Sequence, residues 1–218
     1  ANPAKKWTVP MIVRSTLAVI AATTLLLTGC SRDVTGTAVT GLGSGSDGQC
    51  TTVTAPLADI PSASKSEPRL RIPVPPGWKR KTGIDNQLIR YAIVAPGLAA
   101  DGFSPNAVVT LESVRGTRDV EDLFVDNRSN LVKLMGAFDL TTEINTTCGL
   151  PSETTDYIAP PMGPAPQRPI IMHAVAAASG GATYLATLTI QTAEGDNPTY
   201  QRDSRQIIDG FQMLLPRT

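Results

Sequence analysis

A short uncharged stretch near the N-terminus constrains this chain more than any other feature of its 218 residues. Residues 15–27 contain no charged side chain, and Lys5, Lys6 and Arg14 precede them. This run is too short for a membrane-spanning helix, which needs about 20 apolar residues. A basic segment followed by a short apolar one is typical of a secretory signal peptide. We therefore predict that residues 1–29 are a signal peptide and that the rest folds outside the cytoplasm.

The apolar stretch ends in Leu27-Thr28-Gly29-Cys30, which matches the lipobox of bacterial lipoproteins. A thiol at this position can be alkylated with diacylglycerol, and the small residues before it let a signal peptidase approach the bond that precedes Cys30. The lipid then provides membrane affinity of about 0.8 kcal/mol for each buried methylene. We predict a lipid anchor on the extracytoplasmic face of the cell membrane. The alternative is a plain transmembrane anchor with an incidental cysteine.

The other two cysteines, Cys50 and Cys148, predict a disulfide. An even number of cysteines in an oxidising compartment favours pairing, with two free thiols as the alternative. The bond would close a loop of about 98 residues, for which chain entropy gives roughly 4–5 kcal/mol of stabilisation. A zinc site needs more ligands than two distant cysteines and His173, the only histidine, can provide. We expect no metal and no cofactor.

The composition supports a folded domain and argues against nucleic acid as a partner. Apolar residues make up 41% of the chain and charged residues 17%, enough for a hydrophobic core. Of 19 basic residues, Lys5, Lys6 and Arg14 leave with the signal, so 16 basic residues stand against 19 acidic ones in the mature chain. This balance offers no basic surface for phosphates.

The exported part divides into a tether and a domain. Residues 30–49 hold the lipidated cysteine and a stretch rich in Gly, Ser and Thr, which predicts a flexible tether, and residues 50–218 form a single domain. Residues 51–67 are polar and contain two prolines, so we expect irregular structure there. Alternating or β-branched segments predict strands at 70–74, 87–95, 107–114, 138–147, 153–158, 170–177 and 184–192. Extended structure is expected at 78–81, and Ser179-Gly180-Gly181 predicts a hairpin turn.

Two segments change to a helical period. In residues 117–136, Asp119 is the expected N-cap and Gly136 the expected stop. The apolar residues that share one face there are Val120, Leu123, Phe124, Leu131 and Leu134. A second amphipathic helix is predicted over 199–211, followed by Gln-Met-Leu-Leu. Neighbouring strands with few crossover helices predict an α+β domain with a mainly antiparallel sheet of six or seven strands and helices packed on it.

Residues 70–79, Leu-Arg-Ile-Pro-Val-Pro-Pro-Gly-Trp-Lys, resemble the opening motif of the LpqN/LpqT family of mycobacterial lipoproteins, hydrophobic-Pro-Val-Pro-x-x-Trp. The lipobox, the tether and the central and final helices follow the same layout, and the resemblance covers residues 68–216. It implies a PsbP-like α/β/α sandwich, similar to a nuclear Ran-binding protein. It also implies a non-enzymatic envelope adaptor or lipid-binding helper in cell-wall biogenesis. The Cys50–Cys148 pair departs from the family pattern, so this chain can differ locally from its relatives.

Candidate catalytic residues are few. His173 lies in an apolar strand pattern, which favours a histidine satisfied within the sheet over a general base, and no Gly-x-Ser-x-Gly motif provides a nucleophile. A pair of carboxylates could serve a glycosidase. The acids on presumed helices are more simply explained as solvated helix faces; they are Asp119, Glu121, Asp122, Asp126, Asp196, Asp203 and Asp209.

Two loops are candidate binding elements. Residues 96–106 carry Leu98 and Phe103, and residues 158–169 carry Met162 among five prolines that stiffen the segment. In one interpretation both loops rim an apolar pocket or an adaptor surface. In the other they are ordinary connections, with Phe103 and Met162 folded back onto the sheet.

Three functional hypotheses follow. The first is a non-catalytic binding or adaptor module that holds an apolar envelope molecule, such as an acylated glycolipid, between the sheet and helix 119–135, or docks on an envelope or host protein. The second is an envelope hydrolase, an esterase or a glycosidase, that uses His173 or a carboxylate pair. The third is an accessory subunit with a purely structural role.

Overall fold

The computed structural model describes residues 49–216 of the chain. The predicted signal peptide, the lipobox residues Leu27, Thr28 and Gly29, the lipidation site Cys30 and nearly all of the predicted tether lie outside these residues. Between residues 49 and 216, no helix has the length and apolar character needed to cross a membrane.

Residues 49–216 form ten strands and two α-helices. The helices are α1, Val120–Met135, and α2, Pro198–Asp209. The strands are β1 Leu57–Ile60, β2 Arg69–Pro73, β3 Lys79–Arg80, β4 Ile89–Val94, β5 Asn106–Arg115, β6 Phe138–Thr147, β7 Leu150–Ala159, β8 Arg168–Ser179, β9 Ala182–Gln191 and β10 Gln212–Leu214.

The strands build one large and one small antiparallel sheet. The large sheet has seven strands in the order β3-β4-β5-β9-β8-β7-β6, and the small sheet has three in the order β1-β2-β10. All neighbouring strands are antiparallel. The predicted α+β class with a mainly antiparallel sheet is confirmed.

In the small sheet, the sequence predicts the central strand β2 but not its neighbours β1 and β10. Leu57–Ile60 pairs with β2, so the expectation of irregular structure throughout residues 51–67 is wrong. Four residues are too few to show a clear alternation. The Gln-Met-Leu segment after α2 is the third strand of this sheet, because β10 pairs with the other side of β2.

The large sheet is covered on both faces, and each face has its own core. On one side, the α1 face, Phe124 packs with Ala174 and Leu131 packs with Met172. On the other side, the α2 face, α2 and the small sheet cover a larger cluster. Its fully buried members include Ile72, Ile93, Leu188, Ile207, Phe211 and Met213. The alternation of β8 side chains between the two faces explains why almost the whole strand is apolar.

Helix α1 begins and ends where the sequence predicts. The Asp119 carboxylate accepts hydrogen bonds from the backbone N–H groups of Glu121 and Asp122, and Gly136 ends the helix with φ of 67°. Leu134, expected on the buried face, is largely exposed instead. Each residue turns a helix by about 100°, so Leu134 points roughly 60° away from Leu131 and lies beside the sheet.

Helix α2 corrects a second expectation. Asn197 caps it and Pro198 is its first residue. Asp203, expected on a solvated face, is only 1% exposed. The buried stripe of α2 runs through Tyr200, Asp203, Ser204 and Ile207, and this spacing of three, four and seven residues places Asp203 on the inner face.

The predicted hairpin and disulfide are both present. Gly180 and Gly181, with φ of 57° and 80°, join β8 to β9. Cys50 is bonded to Cys148, which lies in the turn between β6 and β7. The bond therefore fastens the start of the domain to the end of the sheet that β6 and β7 form.

Candidate functional site

A cleft on the α2 face lies between helix α2 and strands β7 and β8. It has a volume of about 650 Å³ and is open to solvent. Asp156 pairs with Ile171 across the two strands, and Ile158 pairs with Pro169. Because directly opposed residues point to the same face of a sheet, all four side chains lie on the cleft side.

The cleft has an apolar floor and a polar rim. The floor consists of Ile158, Pro169 and Ile171 from the sheet. Helix α2 forms the opposite wall with residues one helical turn apart, which are Tyr200, Gln201, Ser204 and Arg205. Gln201 and Arg205 are exposed at the mouth. The Gln201 amide donates to the Gly195 carbonyl and Nε of Arg205 donates to the Gln201 carbonyl, which hold the two side chains at the rim of the cleft.

Two titratable groups in the cleft, Asp156 and Tyr200, have raised pKa values. Burial raises the pKa of the Asp156 carboxyl, and the neighbouring Glu143 carboxylate raises it further. Burial also raises the pKa of the Tyr200 hydroxyl, with a second contribution from the Asp156 charge. Tyr200 therefore keeps its proton at neutral pH. The cleft thus combines a carboxylate acceptor, hydroxyl groups and a guanidinium donor beside apolar surface.

His173 lies on the same face but is buried between two hydroxyl groups. Its Nε2 is 2.8 Å from Oγ1 of Thr147, and its Nδ1 is 2.8 Å from Oγ1 of Thr154. Burial lowers its pKa to about 4, so the ring is neutral at neutral pH. The ring meets Phe211 edge-on, with centroids 6.3 Å apart. The interpretation of His173 as a histidine satisfied within the sheet is confirmed.

The chain matches a lipoprotein family over residues 57–214, and this family is described as probable lipoprotein LpqN. The chain belongs to this family. Among solved structures, it is similar to LpqN of Mycobacterium tuberculosis, a protein described as involved in cell envelope biogenesis. That match has 16% identity and a TM-score of 0.59, and it covers 73% of this chain and 91% of that one.

A second similar structure is the Ran-binding protein Mog1p of Saccharomyces cerevisiae. The identity is 9% and the TM-score 0.44, with 74% of this chain and 97% of that chain covered. No curated protein matches the chain by sequence. The resemblance on which the sequence prediction depends is confirmed by the LpqN match.

The two loops proposed from the sequence of this LpqN-family domain meet at one end of the large sheet. Leu98 packs against the core of the α2 face, and the Phe103 ring lies 5.2 Å from the guanidinium of the buried Arg168. Arg168 donates to Gln191, which in turn donates to Asn106. Phe103 is therefore folded back, as the second interpretation predicts, and Leu98 is also packed against the protein.

Met162 differs from Leu98 and Phe103 because about half of its side chain is exposed. Its loop closes on itself, since the Met162 and Ala165 backbones exchange hydrogen bonds of 3.0 and 3.1 Å. The lining of the cleft includes the ends of this loop, Ile158 and Pro169, but not Leu98, Phe103 or Met162. The cleft residues of α2 were missed because the sequence signal, an amphipathic helix, does not say which polar residues border a cleft.

The acids of α1 have structural roles. Asp119 caps the helix, Glu121 lies 3.6 Å from Arg128 and Asp126 lies 3.7 Å from Arg118. Within residues 49–216, no group of three or more His, Cys, Asp or Glu residues is placed to hold a metal ion. Beside α1, a cavity of about 10 Å³ lies at Val120 and Ala176, whereas the cleft beside α2 has about 650 Å³.

Proposed function

We propose that this chain is a non-enzymatic envelope lipoprotein that binds an amphiphilic envelope glycolipid in the cleft beside α2. The observation that carries the proposal is the juxtaposition of an apolar floor, formed by Ile158, Pro169 and Ile171, with the polar side chains of α2. An acyl chain would lie along the floor, and sugar hydroxyls would meet Asp156, Tyr200 and Arg205 at the rim.

The size and chemistry of the cleft support this ligand class. Small-molecule sites span about 300–1,000 Å³, and the cleft falls inside this range with about 650 Å³. Each methylene buried on the floor contributes about 0.8 kcal/mol. The protonated Tyr200 hydroxyl and the Arg205 guanidinium donate hydrogen bonds, and the Asp156 carboxylate accepts them. A purely apolar ligand would leave these groups without a function.

Membership of a lipoprotein family supports the same proposal from a second direction. Anchoring through Cys30 would hold the cleft close to the membrane that contains its ligand, with residues 31–49 as the tether. The similar LpqN of Mycobacterium tuberculosis is involved in cell envelope biogenesis. We extend that role to this chain as part of the proposal.

The environment of His173 favours binding over hydrolysis. A serine-hydrolase triad requires a histidine between a nucleophile and an orienting acid. Here both ring nitrogens bond to threonine hydroxyls, and the ring is only 3% exposed. Among the described residues, His173 borders a small cavity of about 150 Å³ that lies beside Thr147 and Phe211.

The test is a titration with dodecyl maltoside below its critical micelle concentration, in which the amide chemical shifts of residues 50–218 are monitored. We expect the largest shifts in α2 and in β7 and β8. Gln201→Trp, which places an indole at the mouth of the cleft, is expected to weaken binding at least about tenfold. Lys133→Trp introduces the same side chain on α1, across the sheet, and is expected to leave the affinity unchanged.

Native mass spectrometry of protein extracted from the cell envelope identifies the natural ligand. The proposal requires a bound glycolipid that Gln201→Trp displaces. Protein that is consistently empty, or dodecyl maltoside shifts that Gln201→Trp and Lys133→Trp reduce equally, would contradict it.

A further inference from the structure

Strand β6 is an unusually open edge of the large sheet. It has ten residues and pairs with β7 on one side, while on its other side no strand formed by residues 49–216 pairs with it. The opposite edge strand, β3, has only two residues, and both are basic. The edge strands of the small sheet have four and three residues. β6 is therefore the long edge available to an added strand.

The features that usually protect an edge are missing from most of β6. Residues 141–147 read Thr-Thr-Glu-Ile-Asn-Thr-Thr, without proline, glycine, lysine or arginine. The bulge in its pairing with β7 lies before this run, between Phe138 and Thr141. Natural proteins guard exposed edges with bulges, prolines or lysines because unpaired N–H and C=O groups recruit other strands. A regular, β-branched edge of this length indicates a docking site.

The α1 side of this edge is apolar around a buried ion pair. Ile144 is 81% exposed and pairs with Glu153 of β7. The Glu153 carboxylate accepts a hydrogen bond from Arg128 of α1. Arg128 lies one helical turn from both Val125 and Val132, which are 47% and 50% exposed. Val125 and Val132 therefore flank Arg128 along α1, together with Glu121 at 3.6 Å, and Ile144 lies beside Glu153 on the sheet.

The ion pair itself is incomplete. Oε1 of Glu153 is buried and has no hydrogen-bond partner within the described residues. Burial raises the pKa of Glu153, against the opposing effect of Arg128. An unpartnered buried oxygen beside exposed aliphatic side chains lowers the stability of this edge.

The α2 side of the same edge is acidic. Glu143 and Asp156 point to this side from β6 and β7, since Thr141 pairs with Asp156 and Glu143 with Thr154. The Glu143 charge raises the pKa of Asp156, which shows that the two carboxyl groups are close. Neither β6 nor β7 contains a lysine or an arginine. One face of the edge therefore favours aliphatic side chains and the other favours basic ones.

We propose that β6 binds an extended segment of a partner protein as an eighth strand, with aliphatic residues facing Ile144 and basic residues facing Glu143. Successive side chains of a strand point to opposite faces, so the segment must alternate between the two types. Charge complementarity decides the occupant. A second copy of β6 would bring another Glu143 and no basic residue to the acidic side.

The probe is a fluorescein-labelled peptide, Thr-Lys-Val-Lys-Ile-Lys-Thr, with its ends blocked, titrated by anisotropy with the protein from residue 50 onward. A peptide of the same composition without the alternation, Thr-Lys-Lys-Val-Ile-Lys-Thr, is the matched control. We expect the alternating peptide to bind at least about fivefold more tightly. Equal affinity of the two peptides, or no binding below millimolar concentration, would overturn the proposal.

Two variants of the protein, with one control, test the contribution of each face of the edge. Glu143→Lys is expected to weaken the basic peptide about tenfold and to favour its Lys→Glu analogue, because the charge on one face is reversed. Glu112→Lys makes the same change of charge on β5 and is expected to alter the affinity less than twofold. Ile144→Thr keeps a β-branched residue but removes the aliphatic contact, and is expected to weaken binding about fivefold.

Two further measurements show where the peptide binds and whether a second copy of the chain occupies the edge. Peptide binding should slow hydrogen exchange of β6 amides that are exposed in the free protein; protection elsewhere would place the peptide off the edge. Sedimentation equilibrium that shows a dimer abolished by Ile144→Thr would mean that a second copy occupies β6, and would refute the proposed partner. Ile144 lies on the face away from the cleft, so dodecyl maltoside binding that survives in Ile144→Thr distinguishes this site from the proposed glycolipid site.

Discussion

The hydrogen bond between Trp78 and Asp203 links the start of the large sheet to helix α2, and its loss has a calculable effect on stability. The indole Nε1–H of Trp78 donates to Oδ2 of Asp203 over 3.0 Å, and both residues are buried. The other carboxylate oxygen accepts from Nε and Nη2 of Arg202. Arg202 is exposed, so it can return to water when its partner is removed, but the indole N–H cannot.

Asp203→Ala therefore leaves a buried donor without an acceptor. A buried unsatisfied group costs about 1–3 kcal/mol, and hydrogen bonds to charged groups contribute roughly 1.5–3 kcal/mol. The exposed Arg202 partner adds little. We expect a loss of about 3 kcal/mol in the free energy of unfolding, or roughly 6–12 °C in Tm for a domain of this size. Asp203→Asn retains an acceptor oxygen for Trp78 and should cost about 1 kcal/mol.

The assay is urea unfolding of the protein from residue 50 onward, in which Trp78 is the only tryptophan and reports directly on the site. A double-mutant cycle with Trp78→Phe, followed by circular dichroism, isolates the pair. The reasoning is refuted if Asp203→Ala changes the stability by less than about 0.5 kcal/mol, or if the cycle shows no coupling between the two residues.

Four more outcomes are expected. The double variant Cys50→Ser/Cys148→Ser removes a disulfide with a sequence separation of 98. Denaturant unfolding should show that its free energy of unfolding is about 4 kcal/mol lower than that of the parent protein. Reductant should lower the stability of the parent protein by the same amount and should leave the variant unchanged. The pKa of His173, about 4 in the folded protein, lies below the usual 6.5, so the unfolded chain takes up a proton first as the pH falls. Stability should therefore decrease between pH 6.5 and 4 by up to about 3 kcal/mol, and His173→Gln should remove this pH dependence; an unchanged profile would contradict the assigned burial. The same variant and the parent protein should have equal activity against esterase and glycosidase substrates, since a lower activity in the variant would support the hydrolase hypothesis. Metabolic labelling with a fatty-acid probe should mark the full chain and not Cys30→Ala, whereas an unlabelled, cytosolic protein would disprove the anchor.

The prediction of α1 succeeded because its signals are local. Asp119 caps the helix and Gly136 ends it through interactions with residues at most five positions away. The β8–β9 hairpin is similar, because Gly180 and Gly181 can adopt positive φ wherever they stand. The family resemblance depended on a contiguous motif at residues 70–79. Such features survive in the sequence because their partners are neighbours along the chain.

The errors have the opposite character. Asp203 is a typical surface residue by type, and only the presence of Trp78, 125 positions earlier, makes its burial favourable. Leu134 is a typical core residue by type, but it points away from the side of α1 on which Phe124 and Leu131 are buried. The strand β1 exists because β2 offers it an edge. In each case the deciding contact is distant in sequence, and the pattern of apolar residues along the chain does not reveal it.

The sequence by itself determined the predicted export and lipidation signals, the class of the fold, the ends of α1 and the interpretation of His173 as a histidine satisfied within the sheet. These properties depend on residue type and on neighbours within a few positions. Only the tertiary structure decided that the cleft lies beside α2 and not α1, and that β6 is a bare edge. Both depend on which elements are adjacent in the folded chain, and that adjacency results from packing over the whole core.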